Sequence, residues 1–216
     1  MPIFPYARAI GRIFFQIMNQ SFQYHRLVLG YHGCDQSVAD RVLAGEDMLK
    51  KSEKQYDWLG SGIYFWEHGP ERAMDWAIEQ KKRGKIKTPA VLGAVIHLGN
   101  CFDFMDIRYT RILMDAFPAF KKYCEDMGAE FPANEATNDQ DHDLLLRKLD
   151  CSMINWLCDV MQEDQWMPFD SVRGMFQEAD PSFPGSSIRL KSHIQLAIRN
   201  PACVLGYFRP LYGHEK

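Results

Sequence analysis

The chain has 216 residues, of which 46% are hydrophobic and 25% charged, which excludes intrinsic disorder and predicts one compact domain, with or without a large insertion. Its six cysteines lie 67, 23, 27, 7 and 45 residues apart, a spacing that provides no CxxC pair, zinc finger or dense disulfide framework and is typical of reduced thiols in the cytoplasm. The formal net charge of −3 argues against a protein that holds nucleic acid mainly through its phosphates.

Residues 1–25 predict an N-terminal helical extension. Apolar side chains recur there at helical spacing, namely Ala7, Ile10, Ile13, Phe14 and Met18. Arg12 interrupts the apolar run, so neither a membrane span nor a secretory signal is expected. Met18 offers a second possible start, in which case residues 1–17 would not be native.

From residue 26 the chain alternates short strands with helices. Strands are expected at 26–32 (RLVLGYH), 62–65 (GIYF) and 90–98 (AVLGAVIHL), and a short helix at 37–43. A further helix has clear ends, because Pro70 suits a first helical turn and Gly84 follows a basic last turn.

The middle of the chain is acidic. Residues 103–165 carry 14 Asp and Glu against 6 Lys and Arg, whereas the remaining residues carry 14 acidic against 19 basic side chains. Two helices are predicted within this segment, at 107–127 and 143–163. We interpret it as a helical insertion.

Turn-rich stretches at 169–176 and 181–187 follow, and then strand-like runs at 193–198 and 203–208. The pattern of the whole chain predicts an α+β core of short strands, with the helical pair inserted before the last strands.

Several familiar motifs do not fit. Gly60 and Gly62 precede a strand and lack the third glycine of a dinucleotide-binding fingerprint. Leu144 occupies the glycine position of a possible calcium loop, so its acids are interpreted as preceding a helix, and no metal is expected. These acids are Asp139, Asp141 and Asp143. Cys34, beside a histidine, is a weaker candidate for a thiol nucleophile.

Three short segments stand out as candidates for chemistry. They are Tyr31, His32 and Gly33 at the end of the first strand, Gly62 to Phe65 in the second, and His193 to Gln195 at the start of a late strand. Together they resemble the His, Tyr and Glu motifs of the ADP-ribosyltransferase superfamily, in the branch shared by poly(ADP-ribose) polymerases and diphtheria toxin.

The resemblance covers about residues 26–98 and 168–209 and includes a helix with Ala73 and Trp76 after the tyrosine strand. It implies a compact split β-sheet core over residues 26–216, with the helical insertion at about 103–165. In the family a second tyrosine follows the first by eleven residues, where this chain has Asp75. Trp76 is therefore interpreted either as a clamp on the cofactor or as a core residue.

The implied chemistry uses NAD as a substrate. Loss of nicotinamide leaves an oxocarbenium-like ribose, as in glycoside hydrolysis. By the resemblance, the ring of Tyr64 stacks on the nicotinamide, the Gly33 backbone grips the carboxamide, and His32 bonds the adenosine ribose. Tyr31 and Gly62, which flank these motifs, are assigned to the same binding surface.

The third motif departs from the family, because Gln195 stands where the polymerases and toxins have glutamate. An amide keeps a hydrogen bond but loses the negative charge, and a lost electrostatic contact of this kind raises a barrier by about 3 to 4 kcal/mol. Chain elongation is therefore not expected. Asp170 and Glu178 are alternative sources of a carboxylate, although solvated loop acids are the preferred interpretation of both.

Arg173 is expected in the loop that meets the acceptor, where it would bind the NAD diphosphate or a phosphate-bearing target, or lie as an ordinary surface arginine. The basic run at 81–87 is interpreted as a solvated helix end, with an RNA, DNA or acidic-protein contact as the alternative.

The sequence thus predicts a cytoplasmic enzyme that transfers a single ADP-ribose from NAD to a protein or nucleic acid, by analogy as a bacterial toxin or defence factor. Two alternatives stay open: a catalytically silent NAD-fold binding module and an NAD glycohydrolase. The acidic helical insertion is a candidate surface for a protein partner.

Overall fold

The structure, a computed structural model, describes residues 11, 26–137, 144–163 and 168–211. Except for Gly11, which is helical, the predicted N-terminal extension lies outside the described residues, as do Asp139, Asp141 and Asp143.

Seven strands form one open mixed sheet, in the order β4-β5-β6-β2-β1-β3-β7. The strands are β1 (Leu27–Asp35), β2 (Ile63–Glu67), β3 (Pro89–His97), β4 (Cys101–Asp103), β5 (Ser171–Phe176), β6 (His193–Ile198) and β7 (Val204–Phe208). Only the β4–β5 pair is parallel among these neighbours.

Four α-helices pack on this sheet in the described segments from residue 26 onward. They are α1 (Gln36–Leu43), α2 (Pro70–Lys82), α3 (Ile107–Asp126) and α4 (Lys148–Glu163). The Asp35 carboxylate caps α1 by accepting from the Ser37 N–H, and α2 begins at Pro70. Gly84 adopts φ 72° just after α2, a conformation that costs glycine little. None of the helices in this part of the chain is long and apolar enough to cross a membrane.

The two faces of the sheet are covered by different helices. Residues opposite each other on neighbouring strands share a face. The α1 face carries Cys34, Phe65, Leu92 and Leu196 under α1. The opposite face, which we call the three-helix face, packs against α2 on one side and against α3 and α4 on the other. On this face Tyr64 and Ala197 pack with the α3 and α4 group, and Trp66 packs with the α2 group.

The α+β prediction is confirmed. The predicted strands in the first half and the helix begun by Pro70 are present with small shifts of their ends. The interpretation of residues 169–176 as turn-rich is wrong, because most of them form β5 in the sheet interior. The three-residue β4 was not predicted.

Candidate functional site

Strands β1 and β2 stop pairing with each other at the first predicted motif, and we call the unpaired stretch between them the parting. They pair at Gly30 with Glu67 and at Tyr31 with Trp66, and no later pair joins them among the described residues. Yet β1 runs on to Asp35 and β2 begins three residues before Trp66. The parting therefore has His32 and Gly33 on one edge and Tyr64 on the other.

The His32 imidazole spans this parting, with Nδ1 2.7 Å from the Tyr64 carbonyl oxygen. Because a carbonyl only accepts, Nδ1 carries the proton and Nε2 keeps a lone pair. Burial lowers the pKa of His32, so the imidazole is neutral at pH 7. The ring lies on the α1 face, with its centroid 5.7 Å from that of Phe65.

Tyr64 points to the three-helix face, where its half-buried ring packs against the core beneath α3 and α4. Its hydroxyl donates to the Gly60 carbonyl at 2.8 Å and accepts from the Leu59 N–H at 3.1 Å. The rings of His32 and Tyr64 thus leave the sheet on opposite faces and do not meet in one cleft. They come together only through the Tyr64 backbone, at the parting of the strands.

Substitution of Tyr64 is expected to affect folding as well as any chemistry. We expect Tyr64→Phe to lower the free energy of unfolding by about 1 kcal/mol, because it loses one hydrogen-bonding group of the turn. We expect Tyr64→Ala to lower it by about 3 kcal/mol, because it also leaves a cavity against the helices. Urea unfolding of the two variants checks this, and equal stability of Tyr64→Ala and the parent protein would contradict the packing role.

Gln195 lies in a row of four residues that crosses the three-helix face. The row consists of Tyr31, Trp66, Gln195 and Gly174. The Trp58 indole Nε1–H donates to Gln195 Oε1 at 2.6 Å, so the amide NH₂ is the group left to donate to a ligand. Trp58 also lies over Gly174, where an added Cβ would come within 2.7 Å of the indole.

The two glycines predicted to bind the cofactor, Gly33 and Gly62, also have structural roles. Gly33 is buried, and a Cβ there would lie 2.3 Å from the Ala73 carbonyl oxygen of α2, so a larger residue does not fit. Gly62 exchanges both backbone hydrogen bonds with Ser52, at 2.8 and 3.1 Å. Those groups of Gly62 are therefore not available to a cofactor.

Trp76 is half-buried on α2 and faces both Gly33 and Trp66, the latter at a ring separation of 6.0 Å. Asp75 is exposed, so the aromatic position of this helix belongs to Trp76. Tyr31, Trp66 and Trp76, from β1, β2 and α2, therefore form an aromatic cluster at one end of the row.

The placement of Arg173 differs from the prediction. It lies on β5, not in a loop, and its guanidinium is bound by Glu67 (2.6 Å) and Asp103 (3.1 Å). All three side chains are 6% exposed or less. Burial opposes the charge of Arg173, but the Glu67 and Asp103 carboxylates raise its pKa overall. This arginine is therefore not a free ligand for a diphosphate, nor a surface residue.

Of the two alternative carboxylates, Glu178 is the one that pairs with a residue in contact with the row. Asp170 accepts from the Asn100 backbone N–H and the Asn200 side chain, which ties three loops together away from Gln195. Glu178 pairs with Arg72, and the Arg72 guanidinium lies 5.3 Å from the ring centroid of Trp66. The Glu178 carboxylate is therefore held beside the central row and only 15% exposed.

His193 completes this corner of the site. Its ring packs against Trp66 (6.3 Å) and Phe176 (5.7 Å), and its Nδ1 lies 2.7 Å from the Lys191 carbonyl. Nδ1 therefore carries the proton. Burial, together with the charge of Arg72, lowers the pKa of His193 to about 4.

The lowered pKa of His193 predicts acid sensitivity. Because the folded value lies below the unfolded value of about 6.5, the unfolded chain binds the proton more readily. Stability is then complete above about pH 6.5 and falls toward pH 4, by at most about 1.4 kcal/mol per pH unit for this group. His32 acts in the same direction.

Urea unfolding at pH 7 and pH 5 tests this dependence in the parent protein and in His193→Phe, which retains an aromatic ring. We expect the variant to lose less stability between the two pH values. Replacement of the exposed His68 by glutamine is the control and should leave the difference unchanged. An unchanged difference in His193→Phe would remove His193 as a source of the acid sensitivity.

Cys34 is not suited to act as a nucleophile. It is buried, and burial raises the pKa of its thiol to about 11. The basic run at 81–87 is exposed except at one half-buried residue, as expected of a solvated helix end.

Three residues of the site were not predicted from the sequence, namely Trp58, Trp66 and Arg72. The position of Trp66 could have been predicted, because Trp66 follows Tyr64 by two residues in a strand and so shares its face. Trp58 and Arg72 gave no sequence signal, since Gln195 and Glu178 lie 137 and 106 residues away along the chain.

Comparison with known proteins adds no neighbour: no family model matches the chain, and no curated protein or solved structure matches it.

Proposed function

We propose that the protein is an ADP-ribosyltransferase that takes NAD, releases nicotinamide and transfers a single ADP-ribose to a protein or nucleic acid. The observation that carries the proposal is the parting of β1 and β2, with His32 and Gly33 on one edge and Tyr64 on the other. The His32 imidazole bridges the parting to the Tyr64 carbonyl, so a ligand that contacts both edges would lie over that hydrogen bond or displace it. Gln195 lies on β6, the strand next to β2.

The reaction requires cleavage of the bond between ribose C1′ and the pyridinium nitrogen. The bonding pair leaves with nicotinamide, positive charge grows on the ribose ring, and an acceptor nucleophile then bonds to C1′ and gives up its proton. Surrounding groups accelerate this step by stabilising the developing cation more than the ground state.

The residues of the site suit those requirements. The neutral His32 has a lone pair on Nε2 that can accept a ribose hydroxyl proton in a hydrogen bond. The amide NH₂ of Gln195 can donate to a ribose oxygen. Glu178 is a carboxylate of this corner that is paired with Arg72, and it would supply the negative charge that Gln195 lacks if the ribose lies closer to Glu178 than to Arg72.

A cavity that could receive part of an acceptor is lined by Trp58, the residue whose indole bonds Gln195, but not by Gln195 itself. This cavity, of about 470 Å³, lies between α3 and α4, with Trp58, Phe117 and Arg147 among its lining residues. The Trp58 indole lines this cavity and also donates its hydrogen bond to Gln195. An acceptor side chain entering there would approach the row from the side opposite to α2.

Incubation of the purified protein with NAD labelled in the adenosine, in the presence of a cell lysate, tests the proposal. We expect label on a macromolecule, with nicotinamide released in equal amount. Free ADP-ribose without labelled macromolecule would instead identify an NAD glycohydrolase. Intact NAD would contradict both enzymatic assignments.

A silent binding module is the second candidate. It is favoured by one observation, the neutral Gln195 with its carbonyl oxygen already bonded to Trp58. Tight binding of NAD without turnover, measured by calorimetry on the same preparation, would support this candidate.

A further inference from the structure

The cavity between α3 and α4 is lined mainly by apolar side chains. Among the described residues that line it, the polar ones are Thr110, Arg147 and Asp150. The apolar ones include Trp58, Phe104, Leu113, Phe117, Met153 and Ile154. A volume of about 470 Å³ with few polar groups is typical of a small-molecule site, for which the usual range is about 300 to 1,000 Å³.

The Arg147 guanidinium, which lines this cavity, has no hydrogen bond to a described residue. Its Nε is buried without a partner, and the Asp150 carboxylate lies 3.6 Å from Nη1, beyond hydrogen-bonding distance. The other described arginines that are buried or half-buried each donate to an oxygen, namely Arg72, Arg108, Arg173, Arg189 and Arg199. Because native proteins satisfy nearly all of their buried polar groups, the exception at Arg147 indicates an acceptor that comes from a ligand.

The charges around Arg147 favour a ligand with one negative charge. Asp150 lies in the first turn of α4, where a carboxylate compensates the positive end of the helix dipole. Two backbone N–H groups of that turn are bound by the Asn134 side-chain oxygen, at 3.0 and 3.4 Å, and Lys148 is paired with Glu135 at 2.7 Å. The neighbouring donors are therefore occupied, and the guanidinium is the cation left to bind an anion in the cavity.

The packing of Arg147 allows its guanidinium to meet a carboxylate. Its central carbon lies 5.3 Å from the ring centroid of Phe176, which in turn packs against Trp58 at 5.0 Å. Since no hydrogen bond holds the guanidinium, it can turn toward a ligand, and its planar fork can donate two N–H groups to one carboxylate. The Thr110 hydroxyl already donates to the Ile107 carbonyl at 3.0 Å, so Arg147 is the donor that fixes the ligand's head group.

The volume of the cavity limits the size of the ligand. At about 30 Å³ for each non-hydrogen atom, which is the density of liquid water, the cavity accommodates about fifteen such atoms. An unbranched carboxylate of about eight to twelve carbons lies within this limit. Its chain would be buried against aromatic rings and against methionine, whose flexible side chain adapts to a ligand.

We propose that this cavity binds a medium-chain carboxylate, with the hydrocarbon chain against the apolar lining and the carboxylate on Arg147. The proposal does not rest on ADP-ribose transfer, because it uses only the cavity and its unpaired guanidinium. The ligand would occupy the space that the proposed function gives to part of an acceptor. A bound carboxylate would therefore compete with that acceptor.

Octanoate at pH 7, where its carboxylate is ionised, is the probe, and the indole resonances of a ¹H–¹⁵N spectrum report on the cavity. The chain has five tryptophans, and Trp58→Phe identifies the Trp58 resonance by its loss. We expect octanoate to shift that signal and to leave the signal of Trp76, on α2, in place. Octanol has the same chain without the charge and should bind about tenfold more weakly. Butanoate has the charge on a shorter chain and should also bind at least about tenfold more weakly.

Two arginine variants provide the matched comparison. Arg147→Met retains an apolar side chain but removes the guanidinium, and should weaken octanoate binding by about tenfold while leaving octanol binding unchanged. Arg111→Met removes an exposed arginine of α3 that does not line the cavity, and should leave the preference for octanoate intact. A thermal melt of each variant establishes that it is folded, and the comparison of ligands on the parent protein needs no variant.

The outcomes separate this site from the proposed function. Octanoate binding with these preferences in a protein that leaves NAD intact supports the site and contradicts the transfer reaction. Transfer activity in a protein whose Trp58 resonance does not respond to octanoate supports the function and overturns the site. Equal binding of octanol and octanoate by the parent, or equal binding of octanoate by Arg147→Met and the parent, also overturns it.

Discussion

Replacement of Arg173 by methionine is expected to lower the free energy of unfolding by about 3 to 5 kcal/mol at pH 7. The guanidinium binds Glu67 at 2.6 Å and Asp103 at 3.1 Å in the sheet interior, and these carboxylates are 5% and 4% exposed. Without Arg173 both negative charges would be buried with no cation between them. Urea unfolding measures the loss.

A surface pair provides the control. Arg41 and Asp47 form an ion pair at 3.3 Å with 46% and 35% exposed side chains, so Arg41→Met should cost less than about 1 kcal/mol. Addition of Glu67→Gln and Asp103→Asn to Arg173→Met should recover part of the loss, because the uncompensated charges disappear. A folded Arg173→Met protein of parental stability would contradict the structural role and reopen a ligand role for this arginine.

Arg173 also shows why β5 escaped prediction. A strand in the interior of a sheet is normally recognised by an apolar run, and FDSVRGMF interrupts such a run with Asp, Ser, Arg and Gly. The carboxylates that compensate the buried charge of Arg173 are distant along the chain, because Asp103 lies 70 residues earlier and Glu67 106 residues earlier. Local periodicity carries no information about such compensation.

Features fixed by neighbouring residues were predictable. Pro70 and Gly84 mark the two ends of α2, and alternation within GIYF places Tyr64 on one face and Phe65 on the other. The same alternation applies to β1 and separates His32 from Gly33. What alternation did not provide was the pairing register, which sends the His32 and Tyr64 rings to opposite faces.

The site depends more heavily on contacts between distant segments. Gln195 was identified from its strand, but its bond to Trp58 fixes which end of the amide is free. Glu178 appears in the sequence as an ordinary loop acid, and only the ion pair with Arg72 gives it a defined place beside Trp66. The electrostatics of the site, and hence its expected chemistry, therefore follow from tertiary structure.

We expect the rate of ADP-ribose transfer to depend on negative charge at residues 178 and 195. If Glu178 supplies the negative charge that stabilises the developing ribose cation, Glu178→Gln should lower kcat/KM for ADP-ribose transfer by about 100-fold, a loss of about 2.7 kcal/mol. The neutral amide can still accept a hydrogen bond from Arg72, so the packing of the corner is retained. Glu79→Gln is the control, because Glu79 forms a comparable pair with Lys191 at 2.8 Å.

Gln195→Glu tests the effect of negative charge near the ribose by placing a carboxylate at residue 195. The Trp58 N–H that now donates to Gln195 Oε1 would donate to the new carboxylate and favour its ionised form. We therefore expect kcat/KM to rise by about 100-fold over the parent, with the free energy of unfolding changed little. Initial rates with labelled NAD measure this, and an unchanged rate would mean that residue 195 does not face the ribose.

The double variant Glu178→Gln with Gln195→Glu distinguishes charge from structure. A charge restored at residue 195 should recover most of the rate lost at Glu178, because the ribose cation responds to nearby negative charge from either position. If Glu178 acted only by holding Arg72 in place, the glutamate at residue 195 would not restore that ion pair, and the rate would stay low. Recovery in the double variant, with both single variants folded, would therefore assign to Glu178 the charge that the third motif lacks.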